Sequence, residues 1–135
     1  MLKVLPVQSK AEQEELCKKC NITFKPDLLM YAASVEGELV GVCQFKLSDK
    51  GGLIYDIAKV EGRVETKREG VASDFEAMFV MGRGALNFID LCGVHRAFFV
   101  GQDTDDALLR AIGFKQNSAG EYEIDLTGFF TDHCH

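Results

Sequence analysis

The sequence predicts an α+β fold, an α/β sandwich in which a mixed, mostly antiparallel sheet of about seven strands carries helices on its faces. Three observations predict it. "LLMYAASV", "ELVGVCQFKL" and "LIYDIAKV" follow one another across short turns, as the strands of an antiparallel meander do. A long helix-spaced apolar segment then separates the last of them from the strand-like "VHRAFFV", the pattern of a strand–helix–strand crossover. Finally, 135 residues with 47% apolar side chains suffice for one core and leave no room for a second, so residues 1–135 read as a single domain.

Residues 2 to 7, "LKVLPV", make the first strand. Ser9 with Glu12 three residues later forms a capping box that opens a helix through about residue 19, and Asn21 ends it. Pro26 blocks helix continuation through "NITFKPD". Glu36-Gly37 is the first hairpin turn of the meander and "SDKGG" the second, and the third strand ends near Val60. A charged loop, residues 61 to 70, follows.

From Val71 to Cys92 the set Phe75, Met78, Phe79, Gly82, Leu86 and Ile89 recurs at helical spacing. A second apolar row, which includes Ala77, Met81, Phe88 and Leu91, leaves a narrow polar stripe of Glu76, Arg83, Asn87 and Asp90, so the helix is expected to be mostly buried. Gly82 and Gly84 each cost a helix up to ~1 kcal/mol relative to alanine, and close backbone packing would compensate. Gly93 stops the helix. "DTDDALLRAIGF" is a short helix with Asp103 as cap, and "FKQNSAGEYEIDL" is a hairpin over "NSAG".

A net charge of −6 with no basic run argues against wrapping nucleic acid. Five cysteines, at 17, 20, 43, 92 and 134, do not pair off as a secreted disulfide framework does, and they read as reduced thiols. No apolar run reaches the ~18 residues of a membrane span, and the N-terminus lacks a secretory segment. The expectation is a soluble, cytoplasmic protein with no membrane or nucleic-acid partner.

Two stretches carry a likeness. The loop before the long helix reads Lys67-Arg68-Glu69-Gly70-Val71-Ala72, and "QDTDDALLRAIGF" places Gln102 ahead of a short helix ending in Ile112-Gly113-Phe114. With the element order around them, these resemble the GNAT superfamily of acyl-CoA-dependent N-acyltransferases, whose loop is Gln/Arg-x-x-Gly-x-Gly/Ala. Gly70 and Ala72 match, and Lys67 replaces Gln or Arg. The resemblance implies acetyl-CoA as cosubstrate and no metal, with Val60, Lys67, Arg68, Glu69, Gly70, Val71, Ala72 and Gln102 contacting it. Its pantetheine arm would pair with the fourth strand where that strand splays from the fifth. The family's thiolate-protonating tyrosine falls at Leu109 here, so that acid is missing.

Amides at a helix N-terminus suit a diphosphate, and glycine allows it to approach closely. Lys59, Arg63, Lys67 and Arg68 add positive charge, which Glu61, Glu65 and Glu69 largely cancel. An acceptor amine must lose a proton before it attacks a thioester, and Asp56 and Glu61 are the candidate catalytic carboxylates on or after the third meander strand. Simple alternation puts Asp56 on one face with Ile54 and Ala58, where it is either an apolar-shifted carboxylate or one that sits at a sheet edge or pairs with Lys or Arg. Tyr55 and Tyr122 are candidates to replace the missing acid, or else packing residues. Cys43 and Cys92 read as inert buried thiols, and His95 as a structural residue or, with a partner, a base.

Two other readings compete. "CKKC" at 17–20 and His133-Cys134-His135 hold five candidate metal ligands, though far apart in sequence and with three of them consecutive. A catalytically silent GNAT-like domain that binds acyl-CoA or a protein partner would explain Leu109. Phe129 and Phe130 cover either the core or a homodimer interface. The sequence leaves the acceptor, a small molecule or a protein amine, unnamed.

Overall fold

The computed structural model describes residues 1–65, 67–102 and 105–130. β1 (Leu2–Pro6) leads into α1 (Lys10–Lys19), whose cap Ser9 accepts a hydrogen bond from the Glu12 amide as expected. α1 stops at Cys20, and Asn21 takes a left-handed conformation (φ 56°). The meander follows as β2 (Leu29–Val35), β3 (Glu38–Leu47) and β4 (Gly52–Lys59). Glu36 (φ 52°) and Gly37 (φ 81°) are both left-handed, the requirement of a two-residue I′ hairpin. α2 (Asp74–Leu91) crosses to β5 (Arg96–Phe99), then α3 (Asp106–Ile112) precedes the hairpin of β6 (Lys115–Gln116) and β7 (Tyr122–Asp125).

These seven strands make one sheet in the order β1-β2-β3-β4-β5-β7-β6. Its pairs are antiparallel except β4 with β5, the two strands that α2 connects. α2 packs its buried side, Met78, Met81, Leu86 and Ile89 among others, on Val40, Phe45, Ile54 and Phe99 of one sheet face, and α3 lies alongside. α1 covers the other face with Cys17 and Cys20 on Met30 and Val42.

Several expectations are corrected. α2 begins at Asp74, not Val71: Ser73 is its extended cap (ψ 162°), and the Ser73 Oγ accepts from the Glu76 amide. Val71 and Ala72 mimic helix periodicity because they pack on the core from the loop. Nor is α2 mostly enclosed, since Phe75 and Leu91 are 47% and 76% exposed on the side away from the sheet. At Gly82 the expected close packing is present, because a Cβ there would overlap Ile112 of α3. At Gly84 an added Cβ would meet Tyr31 and Val4 at an ordinary 3.6 Å. Asp105 caps α3 by accepting from the Leu108 amide at 3.1 Å, while the cap expected at Asp103 lies outside the described residues. Phe129 and Phe130 pack on the core cluster, and Arg83 stacks 4.8 Å from the Phe129 ring. Among the described residues no helix is long and apolar enough to cross a membrane.

Candidate functional site

β4 and β5 stay together for three residue pairs, Gly52 to Ile54 against Ala97 to Phe99, and the last backbone bond runs from the Val100 amide to the Ile54 carbonyl at 2.8 Å. Beyond it the strands part. β4 continues through Lys59 on β3 alone, so no described strand takes its other edge from Tyr55 onward. The gap is a cleft of about 890 Å³ with Tyr55, Asp56, Ile57 and Ala58 on one wall and Val100, Gly101 and Gln102 on the other. Residues 20–23, Lys25 and Glu61 complete its rim.

Asp56 is reached through an irregularity that simple alternation does not foresee. Gln44 pairs with Asp56 and Phe45 with Ile54, so Tyr55 is one extra residue, a β-bulge. It brings Ile54 and Ile57 to the α2 face together and leaves Asp56 on the α1 face beside Gln44, correcting the expectation that Asp56 and Ile54 share a side. The Asp56 Oδ2 accepts from Lys25 Nζ at 2.9 Å and from Gln44 Nε2 at 2.7 Å. This is the paired carboxylate of the two alternatives. Gln44 is 1% exposed, and its amide also donates to the Thr23 carbonyl at 3.0 Å, tying the rim segment to β3. Glu61 is exposed at the rim, where Oε2 accepts from Asn21 Nδ2 at 3.1 Å.

The loop has a different geometry from the one expected. Asp74, with its side chain 3% exposed, receives Arg63 through two bonds of 2.9 and 3.0 Å and Lys59 at 3.2 Å. The hydrogen bonds from Arg63 hold the Asp74 carboxyl below the usual carboxylate range against the opposing effect of burial, and those same bonds raise Arg63. Two of the four expected cations are therefore spent on the first residue of α2. The Asp74 amide donates to Glu65 Oε2 at 2.8 Å, so a carboxylate already sits on that helix end. Val71 N–H closes on the Arg68 carbonyl, whereas the amides of Glu69, Gly70 and Ala72 have no partner among the described residues. Gly70 is left-handed (φ 81°) with open space around its α-carbon.

Lys67, Arg68, Glu69 and Gly70 are exposed. Arg68, Val71 and Ala72 border a second cavity of about 210 Å³ toward Glu36 and Glu38, not the large cleft. Val60 lies outside the cleft, with its amide bonded to the Val40 carbonyl and its side chain packed with the α1 cluster. Gln102 lines the cleft.

Leu109 is 1% exposed in the core. Tyr122 donates to Asp106 Oδ1 at 2.5 Å, which raises the phenol, and it does not border the cleft. His95 pairs with Asp90 at 2.6 Å at the other end of β5. Burial pushes up the thiols of Cys17 and Cys43, and that of Cys20, at the cleft rim, to about 11. A thiol so protonated is a poor nucleophile. Cys92 is exposed, which corrects the expectation of a buried thiol: it caps α2 beyond Ile89, the last buried residue of that helix. The His133-Cys134-His135 tail lies outside the described residues. No group of three potential metal-ligating side chains occurs among the described residues.

No family model matches the sequence, and no curated protein resembles it in sequence. Solved structures do resemble it in shape. The ribosomal-protein-S18-alanine N-acetyltransferase of Escherichia coli superposes with a TM-score of 0.60 at 9% identity, covering 93% of this chain and 94% of that one. PaiA N-acetyltransferase of Thermoplasma acidophilum, in complex with coenzyme A, gives 0.60 at 11% identity over 93% and 99%. YhhK of E. coli, provisionally an N-acetyltransferase and bound to coenzyme A, gives 0.54 at 19% over 93% and 98%. The chain has the GNAT fold. Within that fold, sequence reasoning missed Thr23, Lys25, Gln44 and Gly101. Gln44 left one signal, a lone amide in the apolar run "VGVCQF", and a polar side chain that deep requires partners.

Proposed function

We propose that this chain transfers an acetyl group from acetyl-CoA to an amine. The observation that carries the reading is the parting of β4 from β5 at Ile54, which leaves a strand edge open beside a cleft in a GNAT fold. The pantetheine arm is peptide-like, so it hydrogen-bonds to such an edge as an added strand would. Coenzyme A in PaiA and YhhK supports the same donor here. The diphosphate takes the open amides of Glu69, Gly70 and Ala72, with Lys67 and Arg68 as the available cations; Arg63 and Lys59 hold the loop to α2 through Asp74.

The acceptor amine enters from the rim and gives its proton to a carboxylate. Asp56 Oδ2 already accepts two hydrogen bonds, so that proton goes to Asp56 Oδ1 or to Glu61 Oε1. The buried Leu109 favours a second reading, a silent domain that binds acyl-CoA without turning it over.

Calorimetric titration with acetyl-CoA tests both. Gly70→Glu puts a charge and a side chain in the cradle, and strain of about 1–2 kcal/mol in a left-handed residue. Gly120→Glu is its matched control, with the same φ of 81° and the same open surroundings in the β6–β7 turn. Affinity should fall at least tenfold (about 1.4 kcal/mol) in the first variant and hold in the second. Equal affinity in both would remove the loop from the site, and no binding by the wild type would remove the function.

A further inference from the structure

Resting on the acyltransferase reading, we propose that Tyr55 is the acid that protonates the departing thiolate, taking the part that Leu109 cannot. Tyr55 is the first β4 residue beyond the last pair with β5, so it stands at the apex where the two strands part. An extended arm lying along the open β4 edge with its thioester inward ends at that apex. At the same point Gly101 crosses so close to the Tyr55 carbonyl that a Cβ would overlap it, which closes the cleft floor there.

The bulge explains how a side chain from this position reaches the cleft. As an extra residue Tyr55 is excused from the ladder, and it lines the cleft next to Asp56 instead of entering the core under α2. Its hydroxyl has no hydrogen-bond partner among the described residues, and the Lys46 ammonium lies 5.9 Å from its ring centre. Of the other proton donors at the cleft, Lys25 Nζ is bound to Asp56 Oδ2 and the Thr23 carbonyl, and the Cys20 thiol and Thr23 hydroxyl belong to the rim segment, not to the parting of β4 from β5. Tyr122 is bound to Asp106 away from the cleft.

The step balances as follows. The amine nitrogen forms the C–N bond and its proton passes to the carboxylate. The tetrahedral intermediate breaks the C–S bond, whose electron pair leaves on sulfur. Sulfur takes the proton of Tyr55 Oη, the tyrosinate recovers one from water and the carboxyl returns its own to water, so thioester and amine become amide and thiol.

Binding of coenzyme A and desulfo-coenzyme A at pH 9 tests this without knowing the acceptor. A phenol donating to a bound thiolate is a charge-assisted bond, so the wild type should prefer coenzyme A by about tenfold. Tyr55→Phe should abolish that preference and leave desulfo-coenzyme A affinity unchanged, while Tyr122→Phe keeps the preference. A preference that survives in Tyr55→Phe, one absent from the wild type, or one lost in Lys25→Met with Tyr55 intact would each overturn the proposal. If the wild type binds neither ligand, the acyltransferase reading itself falls.

Discussion

Replacing Asp74 with asparagine should cost the fold about 3 kcal/mol. The carboxylate is 3% exposed and takes two bonds from Arg63 and one contact from Lys59. Removing one partner of a buried ion pair costs roughly 3–5 kcal/mol, chiefly because the other charge stays behind without compensation. Arg63 is 15% exposed and Lys59 44%, so water partly relieves both, and the lower end of that range applies. For a chain of this size about 3 kcal/mol corresponds to a fall of roughly 10 °C in Tm. Because the folded Asp74 carboxyl is held below its unfolded value, its stabilisation is complete above about pH 4 and is lost as pH falls through the lowered folded value. Urea unfolding of wild type and Asp74→Asn at pH 7, and again at decreasing pH, measures this. The curves should lie well apart at neutrality and converge in acid. A gap under about 0.5 kcal/mol at pH 7, the scatter of ordinary surface changes, would refute the claim that this pair anchors the loop to α2.

Gly41→Ala should destabilise by about 1–3 kcal/mol, because its Cβ would overlap the Ala58 carbonyl and stand 2.6 Å from Met78 Sδ. An unshifted urea midpoint would mean that β3 and α2 pack more loosely than described. Brief alkylation at pH 8 followed by peptide mapping should label exposed Cys92 well ahead of Cys17, Cys20 and Cys43, whose thiols burial keeps protonated. Rapid labelling of Cys20 would instead mark a reactive thiol at the cleft rim.

Local signals were legible in the sequence where one short stretch decides the outcome. The Ser9 cap and the Glu36-Gly37 turn each depend on a few adjacent residues, and both formed, though of the Ser9–Glu12 box only the bond from the Glu12 amide to Ser9 Oγ is made among the described residues. The long helix was legible in kind but not in its start, since Val71 and Ala72 continue an apolar period from a non-helical loop, while the Ser73–Glu76 cap was there to be seen. The face of Asp56 was not legible, because the bulge at Tyr55 exists only as a mismatch between two strands. Nor was the fate of Arg63 and Lys59: charge counting along the chain cannot show that both converge on Asp74. The cleft itself was legible only through the family resemblance. Its rim joins residues 20–25, 55–61 and 100–102, which the fold alone brings together.

The extra residue in β4 has one more consequence. Excising Tyr55 would make the pairs Phe45–Ile54 and Gln44–Asp56 consecutive, and every other side chain would keep its present face. Removing Ile54 or Asp56 instead would also close the bulge, but only by setting Tyr55 opposite Phe45 or Gln44 in the place vacated. The sheet is thus indifferent to this single residue and would be more regular without it. Tyr55 is an addition to the ladder and not a member of it, and it is answerable to the space the strands leave open more than to the sheet.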